Sequence, residues 1–293
     1  MPTNTHDIFR GTTGVYLPTE VSSEIWSRAQ EESSVMRLAT PMSMPGSGVT
    51  VRMITGDPTA NWVGETNQIG VSKGAQDKKD ITPYKMGLII PFSYEYLRDD
   101  ARMYEELIAR VPAVFAEKFD GTVFGKYDVP GANFDQLNNC TAVNVNDDLW
   151  AGFVAADAAV ANNNATLNGY CISPKLKAML LNAKDGNERP LFVNSIAANN
   201  VPTILGSSTY QSKAVYLAGS PNQLGIAGDW TSARYGVVDG MRISVANQGT
   251  LTDEDGNTIN LFQDEMVALR FTMEVAFRVK DTNDFVRLTD AAV

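Results

Sequence analysis

The chain is poor in the residues that carry most enzyme chemistry. Its 293 residues include a single histidine, His6, and two cysteines, Cys140 and Cys171, with no CxxC. Serine nucleophiles usually need a histidine poised as base, and His6 lies in a polar N-terminal segment with no apolar period to orient it. Two isolated cysteines make neither a disulfide framework nor a zinc site, and both read as buried thiols. No GxSxG, GxxxxGK[ST], GxGxxG or HExxH occurs. The usual hydrolase, nucleotide-binding, dehydrogenase and zinc-protease signatures are therefore missing, so no cofactor or metal is expected. Long apolar runs are missing as well. The longest, Met86 to Phe92, is interrupted by Gly87 and Pro91 and falls far short of the ~20 residues of a membrane span. The N-terminus has neither a basic region nor an apolar h-region, so no secretory signal is expected and the protein should stay inside the cell that makes it. Positive charge is scarce too: 24 Lys plus Arg against 34 Asp plus Glu leave a formal net charge of -10. Such a surface opposes tight binding to nucleic acid or anionic lipid.

Two acidic features remain. Asp253-Glu254-Asp255-Gly256-Asn257 begins like a calcium loop, but Thr258 stands where the tight bend needs glycine and Asp264 where a bidentate glutamate is needed. A turn on Asp255-Gly256 is the expected structure. The pairs Asp99-Asp100 and Glu105-Glu106 leave a carboxylate-based hydrolase open as an alternative function. They fall, however, at the start of a helical stretch, where negative charge is stabilising anyway.

What is present is an ordinary globular composition, 44% hydrophobic and 20% charged, patterned into long elements. Residues 1–18 show no apolar period. From Thr19, a plausible N-cap, Val21, Ile25, Trp26 and Ala29 mark a short amphipathic helix to about Glu32, with Trp26 as a packing anchor. Val49 to Ile54 and Lys85 to Phe92 read as strands. About 30 polar residues separate them, far beyond an ordinary connection. If the limbs of this excursion run antiparallel, each of roughly 15 residues would reach about 50 Å, more than twice the ~19 Å radius of gyration of a body this size. Asp99 to Gly125 predicts the longest helix, with Leu107, Phe115 and Phe119 on its apolar face and Pro112 inside it to bend it. An Asn-, Asp- and Gly-rich stretch from Tyr127 to Asn146 marks a second sub-domain. Beyond it come a helix from Leu149 to Ala161, a strand at Tyr170 to Ile172 and a helix capped by Ser173-Pro174. Val215 to Ala218, Gly225 to Ala227 and Arg234 to Val238 read as strands, with Asp239-Gly240 as a two-residue hairpin into Met241 to Ala246. The sharpest pattern comes last: Val267, Leu269, Phe271, Met273, Val275, Phe277 and Val279 are apolar at every second position, a half-buried strand of unusual length. The fold class is α+β.

An ordered set of short motifs resembles the major capsid proteins of tailed bacteriophages. It runs through Asn61-Trp62-Val63-Gly64-Glu65, Pro83-Tyr84-Lys85 and Ile90-Pro91-Phe92-Ser93 with Glu95, Leu97 and Asp99, then the long helix and Phe124-Gly125. Ser173-Pro174, Lys184-Asp185-Gly186, Pro190-Leu191-Phe192, Gly228-Asp229-Trp230 and Asp239-Gly240 follow, and Gln263-Asp264, Val267-Ala268-Leu269-Arg270 and Phe285-Val286-Arg287-Leu288 close the set. None of these motifs carries chemistry alone; their order across almost the whole chain is what is specific.

The resemblance implies the Hong Kong-97-like capsid fold. It divides the chain into an N-terminal arm (1–18), a short helix and connection (19–45), an extended β-hairpin loop (46–85), a peripheral domain (86–127 and 241–293) with a long spine helix and long β-strands, and an axial domain (128–240). The implied function is a subunit that self-assembles into pentamers and hexamers of an icosahedral shell around double-stranded DNA, held without tight specific binding. Implied partners are portal, scaffolding and decoration proteins, with no membrane. The implied location is the virion capsid, assembled in the host bacterial cytoplasm. Inter-subunit contacts are expected at Phe9 and Arg10 of the arm and at Trp62, Glu65, Lys73, Lys78 and Lys79 of the loop. The fold core is expected at Trp26, Leu107, Phe115, Phe119, Leu269, Phe271 and Val275. Met1 leads directly into the arm, so no cleavable leading segment is expected. Asp264 and Glu265 stand before Met266 where a cross-linking asparagine would be sought, so no isopeptide bond is expected. An encapsulin-type cellular compartment is the rival of similar shape.

Overall fold

The structure is a computed structural model that describes residues 19–56, 58–65, 68–72, 75–95, 101–184, 203–252 and 255–291. Its organising element is the last long strand, β13 (Met266–Val279), fourteen residues against the thirteen expected. Strict alternation puts Leu269, Phe271, Val275 and Phe277 on one face, where each is essentially fully buried. Burial of a side chain of this size is worth roughly 1.5–3 kcal/mol, so one strand face supplies a large part of the core.

Around β13 the first sheet assembles β4 (Tyr84–Ser93), β9 (Ala233–Val237) and β10 (Arg242–Ala246), all antiparallel to it, with β1 (Thr40–Ser43) parallel to β9. Ala268 to Thr272 pair with β4 as well as β10, and Val275 pairs with β4 as well as β9. Strands β9 and β10 therefore follow one another along the edge of β13 opposite β4. This corrects the expected hairpin at Asp239-Gly240: both flanking strands run in the same direction, so the pair kinks a continuing edge instead of reversing it. Residues 238–240 only bend the chain, because β13 takes the hydrogen bonds that a β9–β10 ladder would need.

The first sheet packs against the spine helix α3 (Ala101–Phe124), which runs continuously through Pro112. Phe115 and Phe119 are buried in this core, while Leu107 and Trp26 are half-buried against it. All seven residues expected in the core thus lie in it or against it. The helix stops by local chemistry. Gly125 takes φ +90, Lys126 N–H donates to Gly121 O at 2.7 Å and Gly125 N–H donates to Thr122 O at 3.3 Å, the paired bonds of a Schellman cap. The amphipathic helix α1 (Thr19–Glu32) and the one-turn helix α2 (Ser34–Leu38) cross α3. Thr19, read as a cap, lies within the helix.

A second sheet holds β5 (Thr141–Asn144), β6 (Gly169–Ile172), β7 (Ser208–Gln211), β8 (Gln223–Gly228) and β14 (Phe285–Thr289) in the order β5-β14-β8-β6-β7. One face, with Tyr170, Ile172 and Leu288, packs in a core with Phe153 of α4 (Leu149–Ala161) and Leu176 of α5 (Pro174–Asn182). The other, with Cys171, Ile226 and Phe285, joins the core of the spine helix. Both cysteines are free and buried. The capping readings hold for α5, where Ser173 Oγ accepts from Leu176 N–H.

One strand assignment needs correction here. Val215 to Ala218 forms a turn with a single bridge, Leu217 to Gln223, because the Gln223 side chain already donates to Val215 O at 3.0 Å. The edge position is filled instead by the polar Ser208–Gln211, parallel to β6. The pairing also crosses the expected divisions: β9, grouped with the axial segment, joins the first sheet, and β14, grouped with the peripheral segment, joins the second. Leu97 of the motif and Asp99, the expected first residue of the long helix, lie outside the described residues, as do Asp185, Gly186, Pro190, Leu191 and Phe192.

Candidate assembly surface

The long polar excursion leaves the first sheet as a β-hairpin. Gly48 turns the chain at φ +83, its N–H donating to Pro45 O at 2.9 Å. Strand β2 (Val49–Gly56) then pairs antiparallel with β3 (Ala75–Ile81), from Val49 opposite Ile81 to Gly56 opposite Ala75. The limbs were expected to be roughly twice as long. Pairing spans eight residues of β2, and the remainder of the loop between the strands carries no ladder among its described residues. The sequence Ala-Gln-Asp-Lys-Lys-Asp-Ile has little strand character of its own. It is held by its partner and by two side-chain ties: Thr50 Oγ1 donates to Asp80 Oδ1 at 2.6 Å, and Lys79 Nζ donates to the carbonyls of Val279 and Lys280 at 2.9 and 2.8 Å. At the base, Ile81 is buried with Met44 and Ala276.

Beyond the ladder the loop displays apolar side chains to solvent. Trp62 is fully exposed, Val71 is 90% exposed and Ile69 76% exposed. Thr59 N–H donates to Ser72 Oγ at 2.7 Å, which ties the two limbs of the loop together. Burial of an aromatic side chain such as Trp62 removes 150–250 Å² from water, so a fully exposed tryptophan flanked by further exposed apolar residues makes this loop a candidate contact surface. Further large apolar residues are exposed elsewhere: Trp150 and Val154 one turn apart on α4, Leu181 on α5, and Phe262 between β12 (Thr258–Asn260) and β13. Strand β12 closes a small hairpin with β11 (Thr250–Thr252). Its turn contains Gly256 at φ +83, as the turn reading of Asp255-Gly256 requires; Asp253 and Glu254 lie outside the described residues.

The expected contact residues divide accordingly. Trp62 and Glu65 stand exposed on the loop. Lys78 is exposed on β3, and Lys79, expected to reach a neighbour, is instead spent on two carbonyls of its own chain. Lys73, Phe9 and Arg10 lie outside the described residues, as does His6. Among the described residues no group of three or more His, Cys, Asp or Glu is placed to hold a metal ion, and no helix is long and apolar enough to cross a membrane.

Sequence reasoning missed one polar cluster. Asp120, on the buried face of α3, accepts from Ser33 Oγ, Ser34 Oγ and the backbone N–H groups of Ser34 and Val35. Cys171 Sγ of the second sheet donates to Ser34 Oγ at 3.3 Å. The carboxylate thus fixes the α1–α2 junction against the spine. Burial pushes its pKa from 3.8 up to about 6, against these hydrogen bonds that pull it down. The signal in the sequence was a lone Asp at an apolar position of the helical repeat.

The chain thus presents a hairpin whose loop exposes apolar side chains, beside a spine helix and two sheets that share one core. The model of the phage capsid family matches residues 13–290. The chain belongs to that family. Among its relatives, a probable major capsid protein of Mycobacterium phage D29 is 28% identical, covering 94% of this chain and 90% of that protein. The major capsid protein of Staphylococcus phage 80alpha is 26% identical over 94% of this chain and 85% of its own length. A solved structure from Mycobacterium phage Adephagia superposes with a TM-score of 0.73 at 19% identity, covering 89% of this chain and 91% of that one. At that identity the likeness shows the fold, the α+β capsid fold. For this capsid-family chain, the exposed loop and helix faces are therefore surfaces on a known type of building block.

Proposed function

We propose that this capsid-family chain is the repeating subunit of a phage shell: a major capsid protein whose copies close into an icosahedral container. The observation that carries the reading is the β2–β3 hairpin, whose loop holds Trp62, Ile69 and Val71 in water and gains a dry surface only on another molecule. Pentamers and hexamers follow from symmetry, because a projection on one copy and a seat on the next make a head-to-tail contact that closes into rings. Many weak repeats of this contact make the shell collectively stable. The net charge of -10 per copy suits a container that encloses DNA without gripping it. Portal, scaffolding and decoration proteins are the partners such a shell needs, its place is the virion, and its assembly takes place in the host bacterial cytoplasm.

The test is direct. Purified protein brought to assembly conditions and examined by negative-stain microscopy should give closed particles hundreds of ångströms across. Only monomers or small oligomers over a wide range of concentration and salt would overturn the reading.

A further inference from the structure

A cleft opens beside the hairpin base, between β4, α3 and the loop that follows α3. Its volume is about 270 Å³, and its floor is aromatic and apolar, with Tyr84, Met86, Phe119 and Phe134. Phe134 meets Tyr84 and Phe119 edge-on, with ring centroids 6.3 Å apart in both pairs. Lys118 and Asp128, both exposed, stand on its lining. Tyr84 Oη accepts from Asn133 N–H at 3.2 Å and keeps its own O–H to donate, while the rest of the floor offers rings and apolar carbons.

We propose that this cleft is the seat of Trp62 from a second copy of the chain. The size and chemistry match. A cleft of about 270 Å³ is far larger than the ~10–15 Å³ that a single water needs, which leaves room for one indole. The surrounding rings allow edge-on packing of a further aromatic. The Lys118 ammonium lies 3.7 Å from the Tyr127 ring centroid, so it already sits among aromatic faces and can take a second one. Asp128 supplies a carboxylate for the indole N–H, the single donor that Trp62 must satisfy when buried.

The chain's own Trp62 does not fill the cleft. It is fully exposed and is not part of the cleft's lining, and the Thr59 to Ser72 tie holds its limb of the loop against the other. The donor residue and the seat are thus distinct on one molecule, and the occupant is the Trp62 of a second copy. Each copy gives one tryptophan and receives one, which is the head-to-tail geometry of a ring.

The inference rests on the shell-forming reading, and one experiment separates the two. Cysteines are introduced as the pair Trp62→Cys with Lys118→Cys, both at exposed positions, and particles are assembled and mildly oxidised. Non-reducing electrophoresis should show a ladder of disulfide-joined copies. The control pair Trp62→Cys with Arg110→Cys, two turns along α3, should give at least tenfold less. In parallel, Trp62→Ala should need a concentration about tenfold or more above that of the wild type before shells appear, the signature of an aromatic anchor in a pocket. Particles with no ladder, or equal ladders from both pairs, overturn the seat and leave the shell intact as a function. No particles from the unmodified chain overturn both.

Discussion

Asp120 is fully enclosed where α1, α2 and α3 meet, and its behaviour with pH follows from that position. Its folded pKa of about 6 lies above the ordinary 3.8, so between these values the folded chain binds more protons than the unfolded one. This group therefore adds stability as pH falls through 6 and withholds it above. A shift of this size corresponds to about 2–3 kcal/mol. Urea unfolding of unassembled wild type and Asp120→Asn should show their stability difference moving by that amount in favour of wild type from about pH 7 to about pH 4. A difference that stays constant with pH would refute the assignment. The same enclosure protects the thiols: burial pushes Cys140 up to about 12 and raises Cys171 further. Neither should react with iodoacetamide near pH 8 until denaturant is added, a comparison that mass spectrometry reads directly. The burial of both cysteines was legible from their number and spacing. The network around Asp120 was not, because Ser33, Ser34, Asp120 and Cys171 are joined only by tertiary packing.

Elements with a strong period of their own were legible; those held by a partner were not. The alternation of β13, the apolar face of α3 and the cap at Ser173 are local, so residue order alone announces them. The polar β3 and β7 are edge strands whose pairing comes from neighbours, and Asp239-Gly240 was misread because a hairpin signal says nothing of a third strand competing for the same bonds. Trp62 is singled out through the resemblance, in the motif Asn61-Trp62-Val63-Gly64-Glu65, whereas the cleft of Tyr84, Phe119 and Phe134 draws on three distant segments. Two element-level outcomes follow. Lys79→Ala removes two charge-assisted bonds that pin β3 to the end of β13. Amide exchange over 49–56 and 75–81 should quicken about tenfold or more while β13 keeps its protection; unchanged exchange would mean the ties are idle. Gly125→Ala places a Cβ at φ +90, only 2.4 Å from the Asn138 side chain, and should cost about 1–3 kcal/mol in thermal or urea unfolding.

At the scale of the whole molecule two forces oppose each other. Each copy carries a net charge of -10, so like-charged neighbours repel when a shell closes, and the repulsion is screened over about 10 Å at 0.1 M salt. The attraction comes from Trp62, Ile69, Val71 and the other exposed apolar groups, and burial of apolar surface is little weakened by salt. The ion pairs at exposed positions, Arg110 with Glu106 and Arg242 with Asp239, lie within one chain and contribute little. Added salt should therefore favour assembly. The concentration of free subunit left beside finished shells, measured by sedimentation, should fall as sodium chloride rises from about 0.02 to 0.15 M and then level off, since further screening acts at distances shorter than the spacing of surface charges. If salt instead dissolves the shells, ion pairs between copies outweigh net repulsion. The apolar loop would then be a lesser part of the contact than its exposure indicates.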